Sequence, residues 1–343
     1  MKKSALLLFI VLLPVYSGNK DRIGEAGAPE LLINPLASST ALHSANSVFA
    51  TGVDAIFLNP GGVILIPSYQ FKIARVNYLS GSDISINSLS MVAKLNEFNA
   101  ISLAVVTFNT GEIPITTEDN PDGGIGVYKP QIFNIYGGYS RAFSDRIFGG
   151  FNIKELYHSI GNVSGQALAI DGGILYATGE RKNLRFGLAL RNIGYKMSYS
   201  GEGLYKIAEI NGIERTISER SQLFELPSQM LLGVSYDFYP PTPDTLSHRF
   251  TPMLTFVSNA FGKDQVRLGI EYGYKSLLRV RAGFLYEDGI FSQEMVTTVY
   301  KIYAVGVGFH IPISSNFSIG IDYSYQATRA WNGNHAFALD IRF

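Results

Sequence analysis

The chain has 343 residues, and its 28 lysines and arginines equal its 28 aspartates and glutamates, so its net charge does not point to nucleic acid. Only 16% of the residues are charged, against about a quarter in an ordinary soluble protein, while glycine (35), tyrosine (20) and phenylalanine (22) are abundant. This composition favours a chain that shows apolar side chains to lipid and disfavours a soluble nucleic-acid-binding protein.

The first seventeen residues have the pattern of a secretory signal peptide. Lys2 and Lys3 supply the positive charge, an apolar run extends from Ala5 to Leu13, and the small Ser17 precedes the predicted cleavage site. The run is too short to span a bilayer as a helix. The chain has no cysteine, so an exported form has no disulfide to stabilise it. We therefore expect residues 1–17 to be a signal peptide.

Residues 18–67 lack the strict alternation of a strand but contain leucine, isoleucine and phenylalanine. Such a segment is either a disordered arm or a plug inside a barrel. Its apolar content favours the plug, as does the width of a barrel of about fourteen strands, whose own side chains do not fill the lumen. The motif of this segment comprises Asp54, Ala55, Asn59, Pro60, Gly61 and Gly62, and its last four residues predict a tight turn.

From residue 68 to the end, apolar and small or polar residues alternate, as they do in strands. In the last run, Phe337, Leu339 and Ile341 share one face, whereas Ala338 and Asp340 share the other. Each run thus has one apolar face and one face of glycine and charged residues. This pattern predicts an all-β transmembrane antiparallel barrel of about 14 strands over residues 68–343. The predicted strands are 68–79, 83–94, 98–108, 131–142, 146–158, 165–178, 184–195, 227–238, 249–260, 265–275, 277–287, 298–311, 315–326 and 335–343.

The connections between these runs alternate in length, as expected of short periplasmic turns and longer extracellular loops. The two longest, 109–130 and 196–226, follow the third and seventh strands. The connection 239–248 is long where a short turn is expected, which leaves open a miscounted strand. The chain ends on Phe343 with an alternating apolar run before it, which is typical of outer-membrane barrels. We therefore expect the bacterial outer membrane and its lipid as the setting.

Charged residues of both signs fall on the predicted lumen face. They form either a conduction path or a lattice of cross-strand ion pairs, and their near-equal numbers favour the lattice. They are Arg185, Arg191, Arg267, Arg279, Arg281, Arg342, Asp171, Glu271, Glu287, Asp322 and Asp340.

Sequence patterns of catalysis and cofactor binding are missing from the chain. It contains no phosphate-binding glycine loop, no zinc-protease motif and no nucleophile elbow, and its five histidines are scattered without ligand spacing. We expect no enzyme activity, no catalytic residue, no cofactor and no metal.

The N-terminal segment resembles the signature of the PorV/PorQ family, which is similar in architecture to the FadL hydrophobic-solute channels. The matching residues are Leu31 to Asn34, Ala41, Ala45, the Asp54-Ala55 pair and the Asn59-Pro60-Gly61-Gly62 turn. The run Ala169 to Tyr176 also resembles a strand of that family. The chain departs from the signature at Ser38, where arginine is usual, and at His43-Ser44, where Gly-Gly is usual.

The resemblance implies an outer-membrane accessory of type IX protein secretion, which docks on a larger translocon barrel and binds or shuttles secreted cargo. Outer loops would then contact the partners, and the 196–226 loop is either such a surface or a cover over the barrel mouth. The alternative is a FadL-like channel for hydrophobic small molecules, with Ile56, Phe57, Leu58, Val63, Ile64 and Leu65 lining a pocket. The candidate partner-binding residues are Glu112, Glu118, Asp119, Asp122, Tyr199, Tyr205, Ile207 and Ile210.

Overall fold

The computed structural model describes residues 18–240, 247–314 and 317–343, so the predicted signal peptide lies outside the described residues. Within the described ranges, fourteen long strands form a barrel, and short helical turns lie before the first of them. None of the helices in these ranges is long and apolar enough to span a membrane.

The barrel strands begin and end within three residues of the predicted bounds. We number them in chain order: β1 Tyr69–Tyr78, β2 Ile84–Asn96, β3 Asn99–Asn109, β4 Gln131–Ala142, β5 Ile147–Ile160, β6 Val163–Thr178, β7 Leu184–Gly194, β8 Gln229–Tyr236, β9 His248–Asn259, β10 Gln265–Tyr274, β11 Leu278–Glu287, β12 Tyr300–Pro312, β13 Ser318–Thr328 and β14 Asn334–Arg342.

Each strand pairs antiparallel with its neighbours in sequence, and the first strand pairs with the last. Ile73 of β1 lies opposite Leu339 of β14, and Phe186 of β7 lies opposite Tyr176 of β6. The sheet is therefore closed, and its strands leave no free edge to lipid. The prediction of a closed antiparallel barrel of fourteen strands is confirmed.

The two faces of the wall follow the alternation of the sequence. On β14, Phe337 and Leu339 point outward and are 49% and 38% exposed, whereas Ala336, Ala338 and Asp340 are buried toward the lumen. An apolar outer face is stable only where acyl chains cover it. The barrel is an outer-membrane barrel, as the sequence predicted.

The ends of the barrel differ in the length of their connections. The end that holds the first residue of β1 and the last of β14 has turns as short as 97–98 and 275–277, whereas the opposite end carries 110–130 and 195–228. The short-turn end therefore faces the periplasm. The long connection between β8 and β9 lies at the periplasmic end, and because β8 and β9 pair with each other it does not alter the strand count.

The chain enters the barrel from the outer end. Residues 18–27, which we call the outer arm, cross this end, where Gly18 N–H donates to Asp264 Oδ2 at 2.7 Å and Gly27 N–H donates to the Glu225 carbonyl at 2.9 Å. Residues 28–66, which we call the plug, then run through the lumen and are mostly buried. The plug contains α1 Ala37–Thr40, α2 Val53–Ile56 and 3₁₀ turns at Pro29–Leu32 and Pro60–Gly62.

Candidate functional site

The Asp54 of the plug motif fastens the plug to the barrel wall. Its carboxylate accepts a hydrogen bond from Lys72 Nζ of β1 at 2.6 Å and a short one from Ser38 Oγ within the plug. The Lys72 side chain is 1% exposed, and its Nζ also lies 3.6 Å from Asp340 Oδ2 of β14. A buried ammonium needs such carboxylate partners to offset its loss of hydration. Asp54 and Lys72 therefore form a structural anchor.

The Asn59-Pro60-Gly61-Gly62 segment is the tight turn that the sequence predicted, and it also binds the wall. Asn59 Oδ1 accepts the Gly61 N–H at 3.0 Å and caps the 3₁₀ turn. Asn59 Nδ2 donates to the carbonyl of Ile174 on β6 at 3.1 Å. Ala55 is fully buried beside the turn, and a Cβ on Gly62 would lie 3.1 Å from the Ala55 Cβ. The turn thus packs against the barrel wall near the end of the plug.

Glycines of the wall make room for the plug. A Cβ on Gly187 would lie 2.7 Å from Val48 Cγ1, one on Gly306 would lie 2.5 Å from the Ala41 Cβ, and one on Gly173 would overlap the Asn59 side chain. Real Cβ atoms do not approach so closely, so only glycine permits this contact between plug and wall. We call this set the glycine seat: Gly150, Gly173, Gly187, Gly233, Gly283 and Gly306.

His43 and Ser44 adopt the backbone that glycine favours, with φ of +48° and +59°. They occupy the positions at which the PorV/PorQ signature has Gly-Gly. Glycine adopts this left-handed backbone without strain because it has no Cβ. The Gln326 amide nitrogen of β13 lies 2.9 Å from His43 Nδ1. Burial, with a smaller effect of Arg267, lowers the pKa of His43 to about 3. His43 is therefore neutral in the folded plug at ordinary pH.

The charged side chains of the lumen form ion pairs across strands, as the lattice interpretation predicted. Arg281 of β11 bonds to Glu271 of β10 at 2.7 Å and to Asp322 of β13 at 2.6 Å. Lys154 of β5 lies 2.6 Å from Asp171 of β6. Because these groups pair with one another and are almost fully buried, they brace the wall.

The apolar residues proposed for a ligand pocket lie in the packed core between plug and wall. Ile56, Phe57, Leu58, Val63 and Ile64 are each at most 2% exposed, and the ring of Phe57 meets Tyr136 edge-on at 5.2 Å. Leu65 is partly buried against the same cluster. In this closed arrangement these side chains contact one another and the wall.

The 196–226 loop divides into a base and a projecting hairpin. At the base, Tyr199 packs on Phe224 with ring centroids 5.6 Å apart, and its hydroxyl lies 3.0 Å from His158 Nδ1. Strands Tyr205–Ile210 and Ile213–Ser218 form a hairpin with Tyr205 52% and Ile207 75% exposed. The side chain of Ile210 lies outside the described residues. The base covers the barrel mouth, and the hairpin faces solvent.

The base of this loop is joined to the outer arm by charges. Glu225 lies 3.1 Å from Lys196 and 3.3 Å from Arg22 of the arm. The hydrogen bond from Lys196, and then that from Arg22, lowers the pKa of Glu225. The Arg22 guanidinium also lies over the ring of Phe261 at 4.2 Å.

The 109–130 loop carries acidic residues at the surface. Glu112 pairs with Lys129 at 2.7 Å, and both side chains are more than half exposed. Glu118, Asp119 and Asp122 are exposed as well. A short pairing of Ile113–Pro114 with Val127–Tyr128 closes the base of the loop.

A protein-family model matches the second half of the sequence. The model for the type IX secretion system membrane protein PorP/SprF matches residues 157–341, more than half of the chain. The chain belongs to the PorP/SprF family. The prediction of a type IX secretion outer-membrane protein is confirmed at this level, and the PorV/PorQ assignment stays a prediction. No curated protein has a significant match to this PorP/SprF chain.

Solved structures show the same fold at low sequence identity. A FadL homologue from Pseudomonas aeruginosa superposes with a TM-score of 0.55 at 12% identity, covering 90% of this chain and 98% of that one. The Pseudomonas putida toluene transporter TodX gives 0.55 at 14%, covering 90% and 96%. The CymD monoaromatic hydrocarbon channel gives 0.52 at 12%, covering 91% and 97%. The fold of this PorP/SprF protein is thus FadL-like, and family and fold are those of a secretion or transport barrel, not of an enzyme class.

Sequence reasoning missed the two most deeply buried lysines of the described residues. Lys72 and Lys154 are at most 1% exposed and lie on the lumen faces of β1 and β5. Alternation would have found them, because Phe71 and Ile73 flank Lys72 on the outer face. Their partners Asp54 and Asp171 come from distant parts of the chain, which no local pattern identifies.

Proposed function

We propose that this PorP/SprF-family protein is a docking component of type IX secretion that binds a larger translocon barrel, secreted cargo or both through its outer loops. The observation that carries the proposal is a contrast in exposure. The plug is buried and bonded to the wall, whereas the hairpin 205–218 exposes Tyr205, Ile207, Ile213 and Ile217 to solvent.

The packed lumen argues against passage of cargo through this barrel. Asp54 and Asn59 tie the plug to β1 and β6, and at the glycine seat the plug backbone and side chains lie directly against the wall. A folded protein is far wider than the interior of a barrel of this size. Contact with secretion partners then falls to the outer surface.

The hairpin has the composition of a protein-binding surface. Tyr205, Ile207 and Ile213 are all more than half exposed, and Lys206 and Glu219 pair beside them at 2.6 Å. Apolar and aromatic side chains with a polar rim are typical of interfaces. The acidic 109–130 loop, with Glu118, Asp119 and Asp122 exposed, favours a partner with a basic surface. A PorV/PorQ-like role would make that partner the secreted cargo.

Recovery of partners from native outer membranes tests the proposal. The variant Tyr205→Ser/Ile207→Ser removes two exposed side chains of the hairpin, and Phe291→Ser removes one that is 76% exposed in another outer loop. We expect the hairpin variant to recover at least about fivefold less of a co-purifying larger barrel or cargo. The Phe291 variant should match the wild type. Equal recovery of the larger barrel or cargo by the wild type and both variants would contradict the docking role of the hairpin.

The alternative is a FadL-like channel for hydrophobic small molecules. It is supported by the likeness to proteins named as hydrocarbon channels and by a break in strand register between β6 and β7, where Ile170 pairs with Ile193 and Gly172 pairs with Leu190. Uptake of a monoaromatic hydrocarbon into vesicles containing the purified protein, with no partner present, would favour this alternative.

A further inference from the structure

Four arginines ring the lumen at its periplasmic end. Arg185, Arg249 and Arg279 each occupy the second position of a strand that runs outward, namely β7, β9 and β11, and Arg342 is the last residue of β14. Their side chains are between 19% and 32% exposed, so periplasmic solvent reaches them. We call these four residues the arginine ring.

The ring borders a cavity of about 200 Å³ between the plug and the wall. Phe49 of the plug lies against two of the arginines, with its ring centre 5.2 Å from the Arg185 guanidinium carbon and 4.9 Å from that of Arg249. Asn46 and Thr51 of the plug also line the cavity. A molecule bound there would therefore touch both the plug and the wall.

The four arginines form ion pairs with only three carboxylates. Asp237 binds Arg185 at 3.0 Å, Asp340 binds Arg342 at 2.7 Å, and Glu271 is shared by Arg249 and Arg279. Glu271 is also bonded to Arg281, and Asp340 lies 3.6 Å from Lys72. The ring thus holds more positive charge than its carboxylates balance.

Some guanidinium donors of the ring are unused. Arg279 Nη1 lies 3.6 Å from Glu271 Oε1, beyond hydrogen-bond distance. In the described part of the chain, the buried Nε atoms of Arg249 and Arg279 have no hydrogen-bond partner. Of the other carboxylates that line the cavity, Asp54 is paired with Lys72, and Asp322 is paired with Arg281 through Oδ1 while its Oδ2 lies 3.8 Å from His310 Nε2. Buried donors without acceptors are costly, and an oxyanion supplies acceptors and negative charge together.

We propose that the arginine ring and the plug form a binding site for a phosphate group, carried by inorganic phosphate or a soluble phosphomonoester from the periplasm. Guanidinium groups suit phosphate because their planar donors match its oxygens in pairs, and a tetrahedral dianion can accept from several arginines at once. The barrel wall separates the lumen from lipid headgroups, which favours the soluble source. This site is independent of the docking role proposed for the outer loops.

Calorimetric titration of the purified full-length barrel in detergent, at fixed ionic strength, tests the proposal with inorganic phosphate, glycerol phosphate and chloride. We expect saturable binding of both phosphates, none of chloride, and a higher melting temperature with phosphate, because the ligand favours the folded state. Arg249→Gln and Arg279→Gln should each weaken binding at least about tenfold. Arg146→Gln, on an arginine in a periplasmic turn that is 54% exposed, should bind as the wild type does.

Folding of each variant is checked by its heat-dependent mobility on a gel, so loss of binding is separated from loss of the barrel. Binding that is equal in wild type and both ring variants would overturn the proposal, as would the absence of saturable binding. The melting temperature is also compared in nanodiscs that contain phosphatidic acid and in nanodiscs of phosphatidylcholine alone. A stabilisation seen with phosphatidic acid and not with soluble phosphate would overturn the soluble source.

Discussion

The plug and the 109–130 loop each contain a lysine–carboxylate pair of nearly the same length, and the two pairs have opposite surroundings. Lys72 and Asp54 lie 2.6 Å apart with side chains 1% and 12% exposed. Lys129 and Glu112 lie 2.7 Å apart with side chains 66% and 56% exposed. Water screens the outer pair, whereas the inner pair is largely buried and is screened much less. Burial, not distance, therefore decides how much each pair matters.

The same contrast holds for the apolar residues of the plug and the outer hairpin. Phe57 and Ile56 are at most 2% exposed in the lumen, whereas Tyr205 and Ile207 are more than half exposed. Side chains in the first group hold the fold together, and those in the second are free to meet another protein. Substitutions in the first group should therefore destabilise the fold more than substitutions in the second.

Removing the buried ammonium should have the largest effect. Lys72→Met leaves Asp54 and Asp340 without this partner, and breaking a buried pair costs about 3–5 kcal/mol of unfolding free energy. Lys129→Met is the matched control, because an exposed pair contributes less than about 1 kcal/mol. Urea unfolding in detergent measures both. Similar losses in the two variants would contradict the role assigned to burial.

Enlarging one glycine of the seat should dislodge the plug. A leucine at Gly173 would overlap Asn59 and meet Pro60 Cδ within 3.0 Å, and such overpacking costs about 1–3 kcal/mol. We expect reduced stability and a new conductance in planar bilayers. Gly172→Leu is the control, since a Cβ at Gly172 meets nothing within 4 Å. Conductance from both variants, or from neither, would argue against the seat.

The buried His43 should make the protein less stable in acid. Its pKa falls from 6.5 to about 3 on folding, so the unfolded chain takes up a proton between these pH values and the folded chain does not. Stability is then unaffected above pH 6.5 and falls as pH decreases toward 3, by about 2 kcal/mol at pH 5. His43→Gln should flatten this slope in urea unfolding. If stability still falls with decreasing pH in the His43→Gln variant, the pH dependence comes from other groups.

The smallest expected effect is a difference in stability between two tyrosine substitutions in the 196–226 loop. Tyr199→Ser removes packing on Phe224 and a contact with His158, so we expect a loss of about 1 kcal/mol. Tyr205→Ser removes an exposed ring and should change stability by less than about 0.5 kcal/mol. Thermal unfolding of the two variants makes the comparison. An equal loss would mean that the hairpin packs on the barrel in solution.

The sequence alone determined the barrel, because a strand in a lipid-facing wall repeats its environment every second residue. The fourteen runs, the apolar outer face of β14 and the alternation of short and long connections all follow from that period. The turn at Asn59 to Gly62 was predicted for a similar reason, since proline and glycine restrict the backbone locally.

Only the tertiary structure decided which distant residues meet. Asp54 reaches Lys72 and Tyr199 reaches His158 because closing the barrel around the plug brings these segments together. The arginine ring depends on the tilt and stagger of strands that are far apart in the sequence, and the glycine seat depends on the path of the plug. Local sequence patterns predict whether a residue faces lipid or the lumen, but they do not predict which residue it contacts across the lumen.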